Sequence, residues 1–442
     1  MKRLRRHALL LGTAGLVACG GPAVTIATSP SLHNGAVGTA PVQPARLWVE
    51  QGNESNLSSV IVLDTTGHQT TVSLPAGVFT RAWTRLYAVR RTAAGPTLAA
   101  IDSATGMSLD TTAVPPGYDL PAFGAGQRPT GLSPDGRYLV LSGGSPASDM
   151  RLTTSSFLVY DTRSLKHAPT RLDLAGSFHF DGISGDGHTL FLLEDLGLPT
   201  TGGGYHVRRY DLVAHALDPR IIADKRTGER TLSGAPTDTV TSRDGAWQFT
   251  VYAFGATSPF VHALNLNDST SFCIDLPAAP RDQALDLLWG LAATHDGRFV
   301  YAVNAANGAL VEMPVDAAYQ TRSGSLPVPT PTSAAAWRPW SAVTAQAKRI
   351  AYGAAAISPD DRTLYSLGEL GISVIDTATL SVRRWLVPTK PVISLTLSPG
   401  GRLLYVATAD STTPLLQIDT ERDGWASITG SSQPLDVVHV AP

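Results

Sequence analysis

The chain has 442 residues, 43% of them hydrophobic and only 16% charged, with 41 glycines and 31 prolines. That profile suits many short strands joined by tight turns and argues against long solvated helices. The formal net charge of -2 supplies no Lys and Arg excess for a phosphate backbone, which argues against a nucleic-acid partner.

The first residues form an export signal. Lys2, Arg3, Arg5 and Arg6 open the chain, Ala8 to Ala18 make a short apolar run, and Leu16-Val17-Ala18-Cys19-Gly20 closes it. The run falls well below the roughly 20 residues that cross a bilayer as a helix. Its last five residues resemble the lipobox of bacterial lipoproteins, in which a small residue precedes a cysteine that is acylated and becomes the new N-terminus. The resemblance implies a lipoprotein signal peptide over residues 1–19 and a lipid on Cys19. It further implies a mature protein held on a membrane in the extracytoplasmic part of a bacterial envelope, where two acyl chains give stable anchoring. An ordinary secretory signal with an incidental cysteine is the alternative. Residues 20–44, rich in Gly, Ala, Pro, Ser and Thr and almost uncharged, read as a flexible tether. With Cys19 set aside, Cys273 is the only cysteine left, so no intramolecular disulfide can form. It lies in the apolar stretch SFCIDL, where a buried, inert thiol is expected.

From residue 45 to 442 a single domain is expected, because one phrase recurs. A hydrophobic strand, an Asp-Gly-like turn and a second strand appear as LSPDGRYLVL from Leu132, ISGDGHTLFL from Ile183 and TSRDGAWQFTV from Thr241. They appear again as ATHDGRFVYAV from Ala293, ISPDDRTLYSL from Ile357 and LSPGGRLLYVA from Leu397. Repetition at this spacing marks a stacked array of one supersecondary unit. Third strands carry their own ending, as in VIVLDTTG from Val60, FLVYDTRS from Phe157, ISVIDTAT from Ile372 and LLQIDTER from Leu415. There Asp followed by Thr or Ser can bond nearby backbone N–H groups and start a hairpin into a fourth strand.

This phrase resembles the YVTN family of β-propeller repeats, whose unit reads roughly SPDG, a short LYV strand, then VIDT. Units four to six lose the VIDT ending, and the first two lack the Asp-Gly turn. The expected fold is all-β, a single propeller of four-stranded blades. Second strands beginning near Leu47, Leu86, Tyr138, Thr189, Trp247, Phe299, Thr363 and Leu403 give eight blades, with seven as the rival count. Leu435 to Val440 supplies the innermost strand that the first blade lacks, so the two ends of the chain are expected to pair and close the ring.

No HExxH, GxSxG, P-loop or paired CxxC motif is present. The Asp-Gly carboxylates Asp135, Asp186, Asp244 and Asp296 sit at the same turn of successive blades and would be spread around the ring, so no metal site and no cofactor are predicted. Strand order puts those turns on one face of the disc and the long, irregular connections on the other, where function usually resides. Arg128, Arg226, Trp289, Trp337, Arg338 and Trp340 are the expected binding residues, because Trp gives large rigid contacts and Arg pairs with carboxylates. His179 and Asp181, at alternate positions of one inner strand, form the one acid–base pair to consider for catalysis.

The expected function is a membrane-anchored, monomeric binding or scaffolding module that takes a protein, a glycan or a small anionic ligand on its loop-rich face. The alternative is a propeller enzyme of lactonase-like hydrolase or lyase type with its site at the channel mouth.

Overall fold

The computed structural model describes residues 31–33, 42–53, 56–66, 69–123, 128–146, 152–197, 204–253, 258–278, 283–327, 355–368, 371–386, 392–408, 410–422, 424–429 and 434–441. Eight antiparallel blades stand in a ring, and their second strands begin at Arg46, Arg85, Tyr138, Thr189, Trp247, Phe299, Thr363 and Leu403. We number the blades in that order; the count is eight, not seven. In blade 3 the innermost position is held by a bridge between Leu132 and Leu139 rather than by a full strand.

The ring closes as the sequence implies. Strand Pro434–Ala441 pairs with Arg46–Asn53, setting Leu47 opposite Val440, Trp48 opposite His439 and Val49 opposite Val437. Leu47, Val49 and Val437 are fully buried, so the two chain ends share one core and the first blade has no free inner edge.

The repeated turn is built by side chains. In blade 3, Ser133 Oγ donates to Asp135 Oδ1 (2.6 Å) and accepts the Tyr138 N–H (2.9 Å), while the Arg137 N–H bonds Asp135 Oδ1 (3.0 Å). The same hydroxyl-to-carboxylate bond recurs at Ser184–Asp186, Ser242–Asp244 and Thr294–Asp296. Gly136 takes a φ of 76°, a left-handed conformation that glycine adopts without steric cost.

Two blades fill that glycine position differently. In blade 2, the Trp83 N–H bonds the Thr80 carbonyl at 2.8 Å, as Gly136 N–H bonds Ser133, so Thr80-Arg81-Ala82-Trp83 is the missing turn. Trp83 has a φ of 55°, an unusual conformation for a bulky residue. It is held by stacking on Phe79 (4.4 Å between centroids) and on His439 (4.7 Å, 5° between planes). In blade 7, Asp361 sits at φ 60°.

The Asp-Thr ending ties each hairpin to the turn beside it. Thr162 Oγ1 donates to the Gly136 carbonyl (2.7 Å), and the Thr162 N–H bonds the Arg137 carbonyl (2.8 Å). Blades 4, 5 and 6 lack this Thr yet keep the backbone bond, from Leu212 to His188, Leu266 to Ala246 and Val315 to Arg298 (2.7 to 2.9 Å). Losing the motif therefore removes one hydroxyl bond and leaves the blade intact.

Innermost strands run from the loop-rich face to the turn face, so their first residues stand at the loop-rich mouth. Outside the ring, Ser31–His33 adds to blade 7 in parallel, with Ser31 opposite Arg384 and His33 opposite Leu386. Among the described residues, no helix is long and apolar enough to cross a membrane.

Candidate functional site

At the loop-rich mouth of the channel, Arg128 stands just ahead of the blade 3 inner segment. Its Nη2 donates to Glu50 Oε2 (2.9 Å) and to Asp436 Oδ2 (2.6 Å), both in blade 1. Burial raises the Glu50 carboxyl above its ordinary value, with Arg128 acting in the opposite direction. Asp238, on the inner strand of blade 5, bonds the N–H groups of Leu291 (2.7 Å) and Thr239 (2.8 Å). Burial pushes its carboxyl to about 6, against the pull of those bonds and of Arg128. The space enclosed here is about 470 Å³ and continues along blades 7, 8, 1 and 2 past Leu395 and Thr396 to Trp83. At the turn face, Arg81 of blade 2 reaches to blade 5, where its Nη1 donates to the Arg243 carbonyl (2.6 Å). Two carboxylates on one guanidinium, with Asp238 near enough to feel its charge, make the loop-rich mouth acidic.

A second cavity, of about 340 Å³, lies between blades 4 and 5 on the loop-rich side and is lined by His179, Asp181, Asp195, Phe180, Tyr205 and Tyr252 among others. Asp181 falls where the inner strand of blade 4 slips register between Phe180 and Gly182. Such a bulge re-aims the extra side chain. Gln248 Nε2 in blade 5 donates to the Asp181 carbonyl (3.0 Å) and to its Oδ1 (3.2 Å). Oδ2 is buried with no hydrogen-bond partner among the described residues. Burial drives this carboxyl up to about 7, only partly offset by Gln248. Tyr205 and Tyr252 pack at 5.4 Å between ring centroids, and burial, reinforced by Asp181, holds both phenols neutral, well above their ordinary range. His179 is lowered by its own desolvation, with Asp195 pulling the other way.

The structure brings some sequence-identified residues together and disperses others. Arg128 is at the channel mouth, but its partners Glu50 and Asp436 already supply the carboxylates that an anionic ligand would bring. His179 and Asp181 share one cavity, yet the bulge turns Asp181 toward Gln248, and no hydrogen bond links the two. Trp289 is 1% exposed and packs with Trp247 and Leu291 between blades 5 and 6; it presents no face to the channel, a correction to its expected binding role. Arg226 lies far from the mouth, its Nη2 donating to the Cys273 carbonyl (2.5 Å) near the blade 5 outer edge. Cys273 is half-buried, and burial lifts its thiol to about 12, which keeps it protonated and inert. Trp337, Arg338, Trp340 and Cys19 lie outside the described residues. Among the described residues no group of three His, Cys, Asp or Glu could hold a metal ion.

Glu50, Asp436, Tyr205, Tyr252 and Gln248 were missed by the sequence reading. The first two come from opposite ends of the chain, and the others from second and third strands, where apolar neighbours hide them.

No protein-family model and no curated protein matches the chain. Among solved structures, it is similar to apo AztD from Citrobacter koseri at a TM-score of 0.53 and 13% identity, over 90% of this chain and 98% of that one. A second structure of Citrobacter koseri AztD gives 0.52 and 13%, over 90% and 97%. The dihydro-heme d1 dehydrogenase NirN in complex with DHE gives 0.49 and 14%, over 90% and 77%. At such identities the first two likenesses show the fold alone: the chain is an eight-bladed β-propeller.

Proposed function

We propose that this protein is a lipid-anchored, extracytoplasmic propeller of YVTN type that acts as a binding module, taking a small neutral or cationic ligand or a glycan on its loop-rich face. The observation that carries the binding role is the cavity between blades 4 and 5, walled by aromatic rings and carboxyl groups and open on that face. Concave, largely preformed sites of this size with a few convergent polar groups are typical of small-molecule recognition. An anionic ligand is disfavoured, because both loop-side spaces are lined by more carboxyl groups than cations.

Anchoring rests on the lipobox-like Leu16 to Gly20, and the position of Ser31–His33 bears on which face an anchor would draw inward. This strand runs parallel to Ser381–Leu386, which leads away from the Asp-Thr turn, so Ser31 stands at the turn-face end of that strand. The residues between Cys19 and Ser31 span at most about 40 Å. A lipid on Cys19 would then draw the turn face toward the membrane and leave the loop-rich face outward.

Two measurements test this reading. Palmitate labelling in a bacterial host should mark the wild-type chain and not Cys19→Ser; an unlabelled wild type ends the anchoring proposal. Thermal-shift screening against neutral glycans, amines and carboxylates should give stabilisation by members of the first two classes. A response led by carboxylates, or hydrolysis of a lactone in the same panel, would overturn the binding reading.

A further inference from the structure

Resting on the reading of the loop-rich face as a ligand-binding surface, we infer that the cavity between blades 4 and 5 is a site for a small protonated amine bearing an apolar or aromatic body, with Asp181 as its counter-ion. Three features of the cavity converge on that chemistry.

The first is charge. The ionisable groups that line the cavity are His179 and Asp181 from the inner strand of blade 4, Asp195 from its second strand, Tyr205 from its third and Tyr252 from blade 5. Among the described residues, no Lys or Arg lines the cavity. Glu194, next to Asp195, is already paired with Arg208, and the remaining blade 5 side presents Gly234 and Pro236, with Gln248 held on Asp181.

The second is the uncompensated acceptor. Asp181 Oδ1 is bonded by Gln248, but Oδ2 is buried with no partner among the described residues. A buried carboxylate oxygen left in this way is costly, and a charged donor placed against it recovers that cost. An ammonium group offers three donors and the opposite charge.

The third is the wall. Phe180, Tyr205 and Tyr252 line the same cavity with aromatic surface, which attracts cations through the ring faces and packs an apolar body. A cavity of about 340 Å³ is at the small end of ligand sites, suited to an amine of one ring rather than to an oligosaccharide.

Binding would convert Asp181 from its protonated to its ionised form. The carboxyl proton leaves to solvent and the amine keeps its own, so affinity should rise with pH while the amine stays charged. His179 and Asp195 are the titratable groups beside it; burial lowers the His179 imidazole, which is therefore neutral at pH 7 and above, and the phenols do not titrate there.

The test uses 2-phenylethylamine, 2-phenylethanol and phenylacetate as matched cationic, neutral and anionic probes, followed by calorimetry on the full chain. The amine should bind at least tenfold more tightly than the other two and tighten between pH 5.5 and 8. Asp181→Asn, which keeps the acceptor for Gln248, should fold and lose at least tenfold in amine affinity. Asp195→Asn should lose less. Equal binding of the three probes, undiminished amine binding by Asp181→Asn, or no amine binding at 10 mM overturns the inference. So does stabilisation by a divalent ion that depends on Asp181. A glycan still bound on the loop-rich face in any of these cases would leave the broader binding reading standing.

Discussion

The Asp361 carboxylate of blade 7 grips His295 of blade 6. Oδ1 lies 2.8 Å from the ring Nδ1 and also accepts the His295 N–H (2.7 Å), while Oδ2 accepts the N–H of Asp296 (2.9 Å). Asp361 stands where other blades place the turn glycine, at a φ of 60°. Its side chain uses that strained position to fasten two neighbouring turns.

This relationship predicts an ordering. Asp361→Gly removes three bonds but relieves the left-handed backbone, whereas Asp361→Ala removes the bonds and keeps the strain. Each hydrogen bond is worth about 1 kcal/mol net, and the backbone relief about the same. Urea unfolding should rank wild type above Asp361→Gly and Asp361→Ala last, with losses of about 1–2 and 2–3 kcal/mol. Glycine more stable than wild type would show that the inter-blade tie contributes nothing.

The buried acids predict how stability varies with pH. Asp181 titrates near 7 in the folded chain and far lower when unfolded, so between those values the native state holds a proton that the unfolded state has lost. Stability from this group is therefore present at low pH and is lost as pH rises through about 7. Asp238, near 6, acts in the same sense. His262, lowered to about 4 by burial, acts in the opposite sense, so its part grows up to about pH 6.5 and is constant above. Comparing variants isolates Asp181. The stability advantage of Asp181→Asn over wild type should grow by about 2–3 kcal/mol between pH 5 and pH 8. A pH-independent difference between the two proteins would show that the Asp181 carboxyl is not raised.

Much of the ring was legible because each blade repeats local chemistry. A hydroxyl, an aspartate and a glycine at fixed offsets make the turn whether or not the rest of the blade is recognisable. The turn of blade 2 escaped because it puts Trp83 in the glycine position and closes with stacking instead of a carboxylate, a substitution no local pattern announces. The site was only half legible. His179 and Asp181 were visible as polar residues on an inner strand, but the bulge that separates their directions depends on pairing with Leu193 to Phe191 across the sheet. Trp289 illustrates the reverse error: an aromatic residue beside an inner strand is as readily core between blades as channel lining, and burial decides which. Glu50 and Asp436 stand at opposite ends of the chain, so their meeting at Arg128 follows only from ring closure.

That meeting gives the last prediction. Arg128 Nη2 bonds one oxygen of each carboxylate, and Asp436 is 3% exposed. Removing the guanidinium leaves two carboxyl groups facing each other in a poorly solvated mouth, the situation in which breaking a buried pair is most damaging. Arg128 keeps part of its side chain in solvent, so the loss in Arg128→Ala should be about 2–3 kcal/mol at pH 7.5, below the range for fully buried pairs. Glu50 is already raised by burial, with the Asp436 charge adding to it. Without Arg128 it should take up a proton more readily, so the penalty should shrink as pH falls to 5. Adding Glu50→Gln and Asp436→Asn to an Arg128→Met background removes all three charges while keeping comparable volume, and should restore most of the lost stability. Chemical denaturation of the single and triple variants at both pH values reads each term. A triple variant no more stable than Arg128→Ala would mean that Arg128 acts by packing the blade 3 entry against blade 1, not by neutralising its carboxylates.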